Sequence, residues 1–531
     1  MSWKLGTSSS NTARRLHVVP APSTTQLNKV APLPMPVHPA APAPVAVPSK
    51  APEAQEDLPL RRLARLFDDG RFEQLDALVR HQASGWGVEK KRVDGDGVVV
   101  ATGLIHGKPA VAFAQDRRVM GGSLGEAHAR KICKGMDLAE RMGAPIIGLL
   151  DSGGARIQEG VAALSGYGEI FRRNVALSGK LPQISVVLGP CAGGAVYSPS
   201  LTDFVILSEE DALMFVTGPK VVKQVMFEEV DSDKLGGAKV HSKKSGVAHI
   251  VRKDEAGAIA AARDVLGYLL EKNGKSHEPA RAPALLGEIV PEDFRRSYDI
   301  RHVIESVADA KSFFEIQPDY AKNIVVGFAR MEGRTVGIIA NQPKERAGVL
   351  DIDSARKGAR FIRTMDAFGV PIVSFIDVPG FMPGAQQEHN GIITHGAKIL
   401  YAYCEARVPR LSVITRKAFG GAYIVMSSKH LGADVNLAWP QAQISVMGAE
   451  GAVEILHGKE LKDSAEPEKK FKELCDKYRE EYMTVRLAAE RGWIDEVVEP
   501  CDTRGRLLHY LALLGDSSNG ASRERHGNIP L

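Results

Sequence analysis

Gly143-Ala-Pro-Ile-Ile-Gly-Leu-Leu-Asp151-Ser-Gly-Gly154 returns 226 residues later as Gly369-Val-Pro-Ile-Val-Ser-Phe-Ile-Asp377-Val-Pro-Gly380. Further on, Cys191-Ala-Gly-Gly-Ala195 returns as Ala418-Phe-Gly-Gly-Ala422 at a shift of 227, and ahead of both, Ala129-Arg-Lys131 returns as Ala355-Arg-Lys357 at 226. A shift this constant, at a period far too long for a solenoid, predicts two homologous domains in one chain. In each copy a short apolar run after a proline (145–150 and 371–376) reads as a buried strand, entered from a helix. A glycine-rich loop, another helix and a second strand (184–188 and 411–415) follow, and that strand meets a Gly-Gly-Ala turn. Strands alternating with helices predict an α/β fold with mostly parallel pairing.

At 531 residues with 44% apolar composition, the chain is long enough for two sizeable cores. Residues 1–52 contain no acidic residue, five basic ones and ten prolines from Pro20 to Pro52, a composition that cannot build a core. Removing those five charges from the 68 Lys and Arg leaves 63 against 64 Asp and Glu, so the formal +4 belongs to the tail and the body carries no nucleic-acid footprint. The tail reads either as a Pro/Ala-rich extension of a bacterial cytoplasmic protein or as a transit peptide to the mitochondrial matrix. The prolines, which break any helix beyond about residue 19, favour the extension.

Folding is expected to begin near Leu60, where Leu63, Leu66, Phe67, Phe72, Leu75 and Leu78 recur at roughly helical spacing. A polar, proline-containing connection between about Lys272 and Ser297 predicts the second boundary, giving an extension over 1–59 and domains over 60–290 and 291–531. No apolar run approaches the roughly 20 residues of a membrane span. Five scattered cysteines form neither a CxxC pair nor a disulfide framework.

A Gly-Gly pair after a buried strand lets the backbone approach a ligand, and a helix starting there leaves its first N–H groups unpaired. Such donors can form an oxyanion hole worth roughly 3 kcal/mol each. A single turn of this kind reads equally as a packing device; two at equivalent places fit a reaction in which two oxygens become negative. The loop at Gly153, Gly154 and Ala155 matches neither GxGxxG nor the P-loop, and no GxSxG elbow or HExxH pair is present. No conventional nucleophile or base stands out.

The runs MGGSLGEAHARKICKGMD, DSGGARIQEG, GPCAGGAVYSP, LGGAKVHSKKSGVAH, DVPGFMPG and ITRKAFGGAYIVMSSKHL closely resemble the β subunits of propionyl-CoA carboxylases and related acyl-CoA carboxylases. The resemblance runs from about Leu60 to the terminal His526-Gly-Asn-Ile-Pro-Leu531. It implies two crotonase-like domains, a hexameric core, and transfer of a carboxyl group from carboxybiotin to the α-carbon of an acyl-CoA. It implies oxyanion holes at Gly193 and Gly194 and at Gly421 and Ala422, and substrate contacts at Gly153, Gly154, Ala155, Gly420, Tyr423 and Ile424. CoA binding is expected broadly over 320–353, and no metal is expected. Many propionyl-type members carry Asp where this chain has Ile424, a position the resemblance places beside the acyl group. With no Met-Lys-Met biotinylation site and no room for an ATP-grasp domain, biotin is expected on a separate α-subunit or carrier chain. The rival readings are the carboxyltransferase of a sodium-pump decarboxylase, a biotin-independent crotonase-type enzyme and a non-catalytic assembly subunit.

Overall fold

The computed structural model describes residues 58–85, 87–515 and 526–531, so the proline-rich extension lies outside the described residues. The chain enters through the helix Leu58–Leu66 and then forms β1 (Phe72–Leu75), β2 (Val98–Ile105), β3 (Lys108–Gln115), β4 (Ile146–Ser152), β5 (Gln183–Ala192), β6 (Phe204–Ser208), β7 (Leu213–Phe215) and β8 (Ile250–Arg252). The expected helical spacing therefore stops at Phe67: Phe72 and Leu75 sit on a strand, and Leu78 is exposed. A helix over Asp68–Phe72 is precluded by Asp69 and Gly70, whose positive φ angles turn the chain back along the sheet.

The sheet order is β1-β2-β3-β4-β5-β6-β8, with β7 also on β5; β1, β2 and β3 are antiparallel and the rest are parallel. The second half repeats it strand for strand: β9 (Phe314–Ile316), β10 (Ile324–Met331), β11 (Arg334–Asn341), β12 (Ile372–Val378), β13 (Arg410–Phe419), β14 (Val435–Ala438), β15 (Gln443–Ser445) and β16 (Glu496–Val497). They lie in the order β9-β10-β11-β12-β13-β14-β16, with β15 on β13. Helices Glu126–Met142 and Ile352–Ala367 lead into β4 and β12, and Val161–Leu177 and Ile392–Glu405 lead into β5 and β13.

The duplication extends to individual bonds. Lys131 Nζ donates to the carbonyls of Gly95 and Val98, while Lys357 Nζ donates to those of Gln317, Tyr320 and Ile324. Each buried ammonium thus satisfies the turn that starts the second strand of its sheet. Leu124 N–H donates to the Gly154 carbonyl, and Leu350 N–H to that of Gly380, again 226 positions apart.

Two separate cores were expected, but the largest apolar cluster runs through both halves. Phe204 of β6 lies 5.9 Å from Phe328 of β10, which stacks on Tyr268 at 5.3 Å. A smaller cluster lies wholly within the first half, and another joins Leu286 and Val290 to residues of the second. Residues 526–531 tie the halves again: Asn528 Nδ2 donates to Asp203 in the first and to Thr364 in the second, each at 2.9 Å. Arg360 donates to the carbonyls of Asn528, Ile529 and Thr202.

His526 anchors this strap through Nε2 on Asp366 at 3.0 Å, with Arg363 against Nδ1 at 3.3 Å and Glu405 at 3.9 Å. The hydrogen bond to Asp366 raises its pKa above the ordinary histidine value. A raised folded-state pKa contributes stability that is fully present below the unfolded value of about 6.5 and is lost as pH rises through the folded value. His526→Ala should therefore cost more stability at about pH 6 than at about pH 8.5, read from denaturant midpoints. Equal losses at both pH values would remove the imidazolium from the anchor.

Candidate active site

Both Gly-Gly turns stand where the longest parallel strand of a sheet runs into a helical turn. In the first half β5 ends at Ala192, followed by Gly193–Val196 and the short helix Tyr197–Leu201; in the second, β13 ends at Phe419 and the helix Gly420–Val425 starts at once. Gly193 has φ +61° and Gly420 has φ +62°, a backbone conformation that costs a side-chain-bearing residue energy, and it bends the chain sharply from strand to helix. The pairing of positions is therefore Gly193 with Gly420, Gly194 with Gly421 and Ala195 with Ala422. The N–H groups of Gly420, Gly421 and Ala422 fall in the first helical turn, where no intrahelical acceptor exists.

What surrounds the two turns differs. The second opens into a cavity of about 580 Å³ bordered by Gly420, Gly421, Tyr423 and Ile424. A Cβ on Gly421 would meet nothing within 4 Å, and Ile424 is 39% exposed. In the first half the space behind Gly194 is filled: a Cβ there would lie 3.1 Å from the ring of Tyr167, which stacks on Phe171 at 5.8 Å. Among the described residues the buried hydroxyl of Tyr423 has no hydrogen-bond partner, while that of Tyr167 lies beside Ser152.

Gly153, Gly154 and Ala155 belong to the first turn's surroundings, because a Cβ on Gly154 would come within 2.8 Å of the Ala192 carbonyl just ahead of Gly193. Several of their polar groups are engaged: Gly153 N–H donates to the Gly121 carbonyl, Gly154 N–H to Ser152 Oγ, and the Gly154 carbonyl accepts from Leu124 N–H. Behind them Arg156, fully buried, pairs with Asp96 at 2.8 Å and Glu159 at 2.7 Å. The structure thus brings 153–155 to Gly193 and brings Gly420, Tyr423 and Ile424 to Gly421, at the ends of two different sheets. Just under half of the stretch 320–353 lies in the buried strands β10 and β11. Tyr320 is buried as well, its hydroxyl donating to Asp353 at 2.7 Å.

A feature the sequence reading passed over supports each turn. Between Leu150 and Ser152, and again between Ile376 and Val378, the pairing with the next strand shifts, leaving Asp151 and Asp377 in a bulge beside it. Both carboxylates are fully buried. Asp377 is matched by Arg416 Nε at 3.0 Å, from β13 itself. Asp151 is matched by Arg62 at 3.0 Å, which arrives from the first helix; the position equivalent to Arg416 is Gly189, where a Cβ would lie 2.2 Å from the Asp151 carboxylate. One charge pair is thus built twice, from different parts of the chain. Each half repeats Asp on the sequence; the arginines do not repeat and could not be found by comparing the halves.

His128 and His249 are not poised as bases. Burial pushes His128 and His249 down to about 3, so both are neutral at physiological pH. His430 borders the cavity with its ring edge against Trp493 at 5.3 Å. Among the described residues no His, Cys, Asp and Glu cluster has the arrangement of a metal site.

What the site offers is two sets of backbone donors at the ends of duplicated sheets. The carboxyl transferase domain model matches residues 52–529. The chain belongs to the carboxyl transferase family. It is 53% identical over 477 residues to the propionyl-CoA carboxylase carboxyltransferase subunit of Haloferax mediterranei, covering 88% of this chain and 92% of the relative. It is 49% identical over 477 residues to the methylmalonyl-CoA decarboxylase subunit alpha of Propionigenium modestum, covering 88% and 92%. The crystal structure of transcarboxylase 12S, a hexamer solved with methylmalonyl-coenzyme A and methylmalonic acid bound, matches with TM-score 0.84 at 43% identity, over 89% of this chain and 92% of that one. The fold is therefore crotonase-like, and this carboxyltransferase is an enzyme component of the propionyl-CoA carboxylase type.

Proposed function

We propose that this carboxyltransferase is the β subunit of a cytoplasmic, biotin-dependent short-chain acyl-CoA carboxylase, with residues 60–290 and 291–531 as its two domains. It carries the carboxyl group from biotin on a separate α-subunit or carrier chain to the α-carbon of propionyl-CoA, and also of acetyl- and butyryl-CoA, giving methylmalonyl-CoA or malonyl-CoA homologues. The observation that supports this is the pair of equivalent strand-to-helix turns, one per half, where the first N–H groups have no intrahelical acceptor. Bound carboxybiotin supplies the carboxyl group and, after releasing it, the base for the α-proton. The chain's own part is to orient both reactants and to hold the two oxygens that turn negative. The donors at Gly421 and Ala422, which face the large cavity, suit the thioester oxygen; those at Gly193 and Gly194, backed by Tyr167, suit the ureido oxygen of biotin. Residues 153–155 hold the second of these sites in place.

A reaction with two holes needs them to face each other, and in one chain they end separate sheets. Each turn is flanked by exposed apolar residues: Val216, Val221, Val225 and Phe227 in the first half, Val446, Ile455 and Leu456 in the second. These surfaces support a hexamer in which the first half of one subunit faces the second half of another. A catalytically competent monomer in sedimentation under assay conditions would contradict it.

The test uses the purified chain alone with free biotin and methylmalonyl-CoA. Decarboxylation to propionyl-CoA that depends on biotin is expected; a folded oligomer without it overturns the proposal. The resemblance to a methylmalonyl-CoA decarboxylase subunit favours a second reading, in which the same residues work in that direction physiologically. Native co-purification of a biotinylated α-type partner would favour the carboxylase.

Ile424 bears on which acyl-CoA is used. An Asp at this cavity-lining position would have to stay hydrated or paired, whereas isoleucine presents apolar surface to the acyl group. Activity on acetyl-, propionyl- and butyryl-CoA should fall within about one or two orders of magnitude. Ile424→Asp should lower kcat/KM for acetyl-CoA more than for propionyl-CoA, by about a factor of ten in their ratio. An unchanged ratio, with the biotinylated partner saturating, would make the position neutral.

A further inference from the structure

We infer that residues 526–531 set the position of the Gly193–Gly194 turn through a buried hydrogen-bond relay, with Asn528 and Ser198 as positioning residues at its two ends. The inference rests on that turn serving the reaction proposed above. Only Ala195, Val196 and Tyr197 separate Gly194 from Ser198, which lies on the short helix Tyr197–Leu201. Ser198 Oγ donates to Asn174 Oδ1 at 2.9 Å, on the preceding helix Val161–Leu177. Asn174 Nδ2 donates to Gln183 Oε1, and Gln183 Nε2 returns to the Asn174 carbonyl, each at 2.9 Å. This closed pair fixes the Asn174 amide, so its Oδ1 has to face the short helix, where only a donor satisfies it. At the start of β5 the Gln183 N–H donates to Asp203 Oδ2 at 2.9 Å, and Asp203 Oδ1 accepts from Asn528 Nδ2 at 2.9 Å. Asn174, Gln183, Asp203 and Asn528 are all buried, so a broken link leaves a polar group that water cannot reach.

The same strap also holds the far end of the short helix. Thr202 follows that helix, and its carbonyl accepts from Arg360 Nη2 at 2.8 Å, while Nη1 of the same guanidinium donates to the Asn528 and Ile529 carbonyls. The second half has the aspartate clamp without the relay. Arg410 N–H donates to Asp434 Oδ2 at 2.8 Å, and Asp434 N–H to the Arg410 carbonyl at 3.0 Å, as Gln183 and Asp203 do at the start of β5. Asp434 is exposed, however, and the position 227 residues after Ser198 is Val425, which has no side-chain donor. A fold that stands without the relay in one half does not require it in the other; what it adds is a fixed place for the first turn.

Ser198→Ala and Asn528→Ala should each lower kcat about tenfold, at unchanged KM for biotin and for methylmalonyl-CoA, since a displaced donor set is felt mainly in the transition state. The measurement is biotin-dependent methylmalonyl-CoA decarboxylation by the assembled full-length chain, at a temperature where circular dichroism shows each variant fully folded. Ser198→Thr, which keeps the hydroxyl, should recover most of the rate. The double variant should be no slower than the slower single one, because both substitutions cut one relay. If Asn528→Ala fails to assemble, Ser198→Ala and Ser198→Thr decide alone. Variants that lower the thermal midpoint but hold kcat within about twofold make the relay purely structural and overturn the inference. Losses that multiply in the double variant, or a Ser198→Thr chain as slow as Ser198→Ala, overturn it too. A parent chain with no biotin-dependent decarboxylation overturns the underlying reading instead.

Discussion

Gly421→Val is expected to lower kcat by at least about 10²-fold while leaving a folded, assembled protein, the loss usual for removing an oxyanion donor. The geometry makes this substitution unusually clean. Gly421 does not need a positive φ, and a Cβ there meets nothing within 4 Å, so the fold has no reason to object. The added branches would instead stand in front of the first-turn N–H groups, where the developing oxyanion has to sit. Two neighbouring substitutions show the contrast. Gly420→Val should damage the turn itself, since φ is +62° and the new Cβ would lie 3.0 Å from the Val446 carbonyl. Gly194→Val would press on the buried Tyr167 ring at 3.1 Å, so lost activity there would mix packing with chemistry. The measurement is the rate of biotin-dependent methylmalonyl-CoA decarboxylation beside the thermal midpoint. A folded Gly421→Val chain with near-normal turnover would sink the two-hole mechanism.

The duplication was the most legible feature of the chain because it is written in side chains with local meaning. Glycines at turns, apolar runs in strands, and the lysine that satisfies a turn's carbonyls all recur at 226 or 227, and the strand order repeats with them. What could not be read was anything carried by the meeting of distant segments. Arg62 and Arg416 do the same work for Asp151 and Asp377 but sit at unrelated positions. The joining of both halves into one apolar cluster depends on Phe204, Tyr268 and Phe328, which an alternating strand pattern marks as buried without saying against what. The asymmetry of the two turns was hidden for the same reason: Gly-Gly-Ala is spelled identically in each half, and only the fold reveals Tyr167 behind one and a cavity beside the other. The resemblance led 153–155 to be expected in contact with substrate; in the folded chain the N–H groups of Gly153 and Gly154 donate to the Gly121 carbonyl and to Ser152 Oγ.

Arg416→Met is expected to destabilise the protein by about 3–5 kcal/mol, the cost of leaving a buried carboxylate without its partner. Arg416 is 1% exposed, and its Nε lies 3.0 Å from Asp377. Its Nη1 donates to the carbonyl of Arg296 at 2.8 Å, and its guanidinium sits 5.1 Å from the Tyr298 ring centre and 5.5 Å from that of Phe294. Methionine fills much of the same volume but supplies none of those donors, so Asp377 would be left with Lys417, whose ammonium is 3.7 Å away. Asp377→Asn in the same chain should recover part of the loss, because the uncompensated charge is then gone while the bulge keeps its shape. The comparison separates a charge effect from simple packing: denaturant unfolding of the two single variants and the double variant gives a coupling energy, which should be clearly non-zero for groups in contact. The bulge sits immediately ahead of Gly420, so a weakened pair should also loosen the turn and lower kcat before the protein unfolds. A cost below about 1 kcal/mol, within the range of an exposed ion pair, would mean that Lys417 alone can neutralise Asp377, and the second turn would then owe its position to the β12–β13 ladder rather than to this buried charge pair.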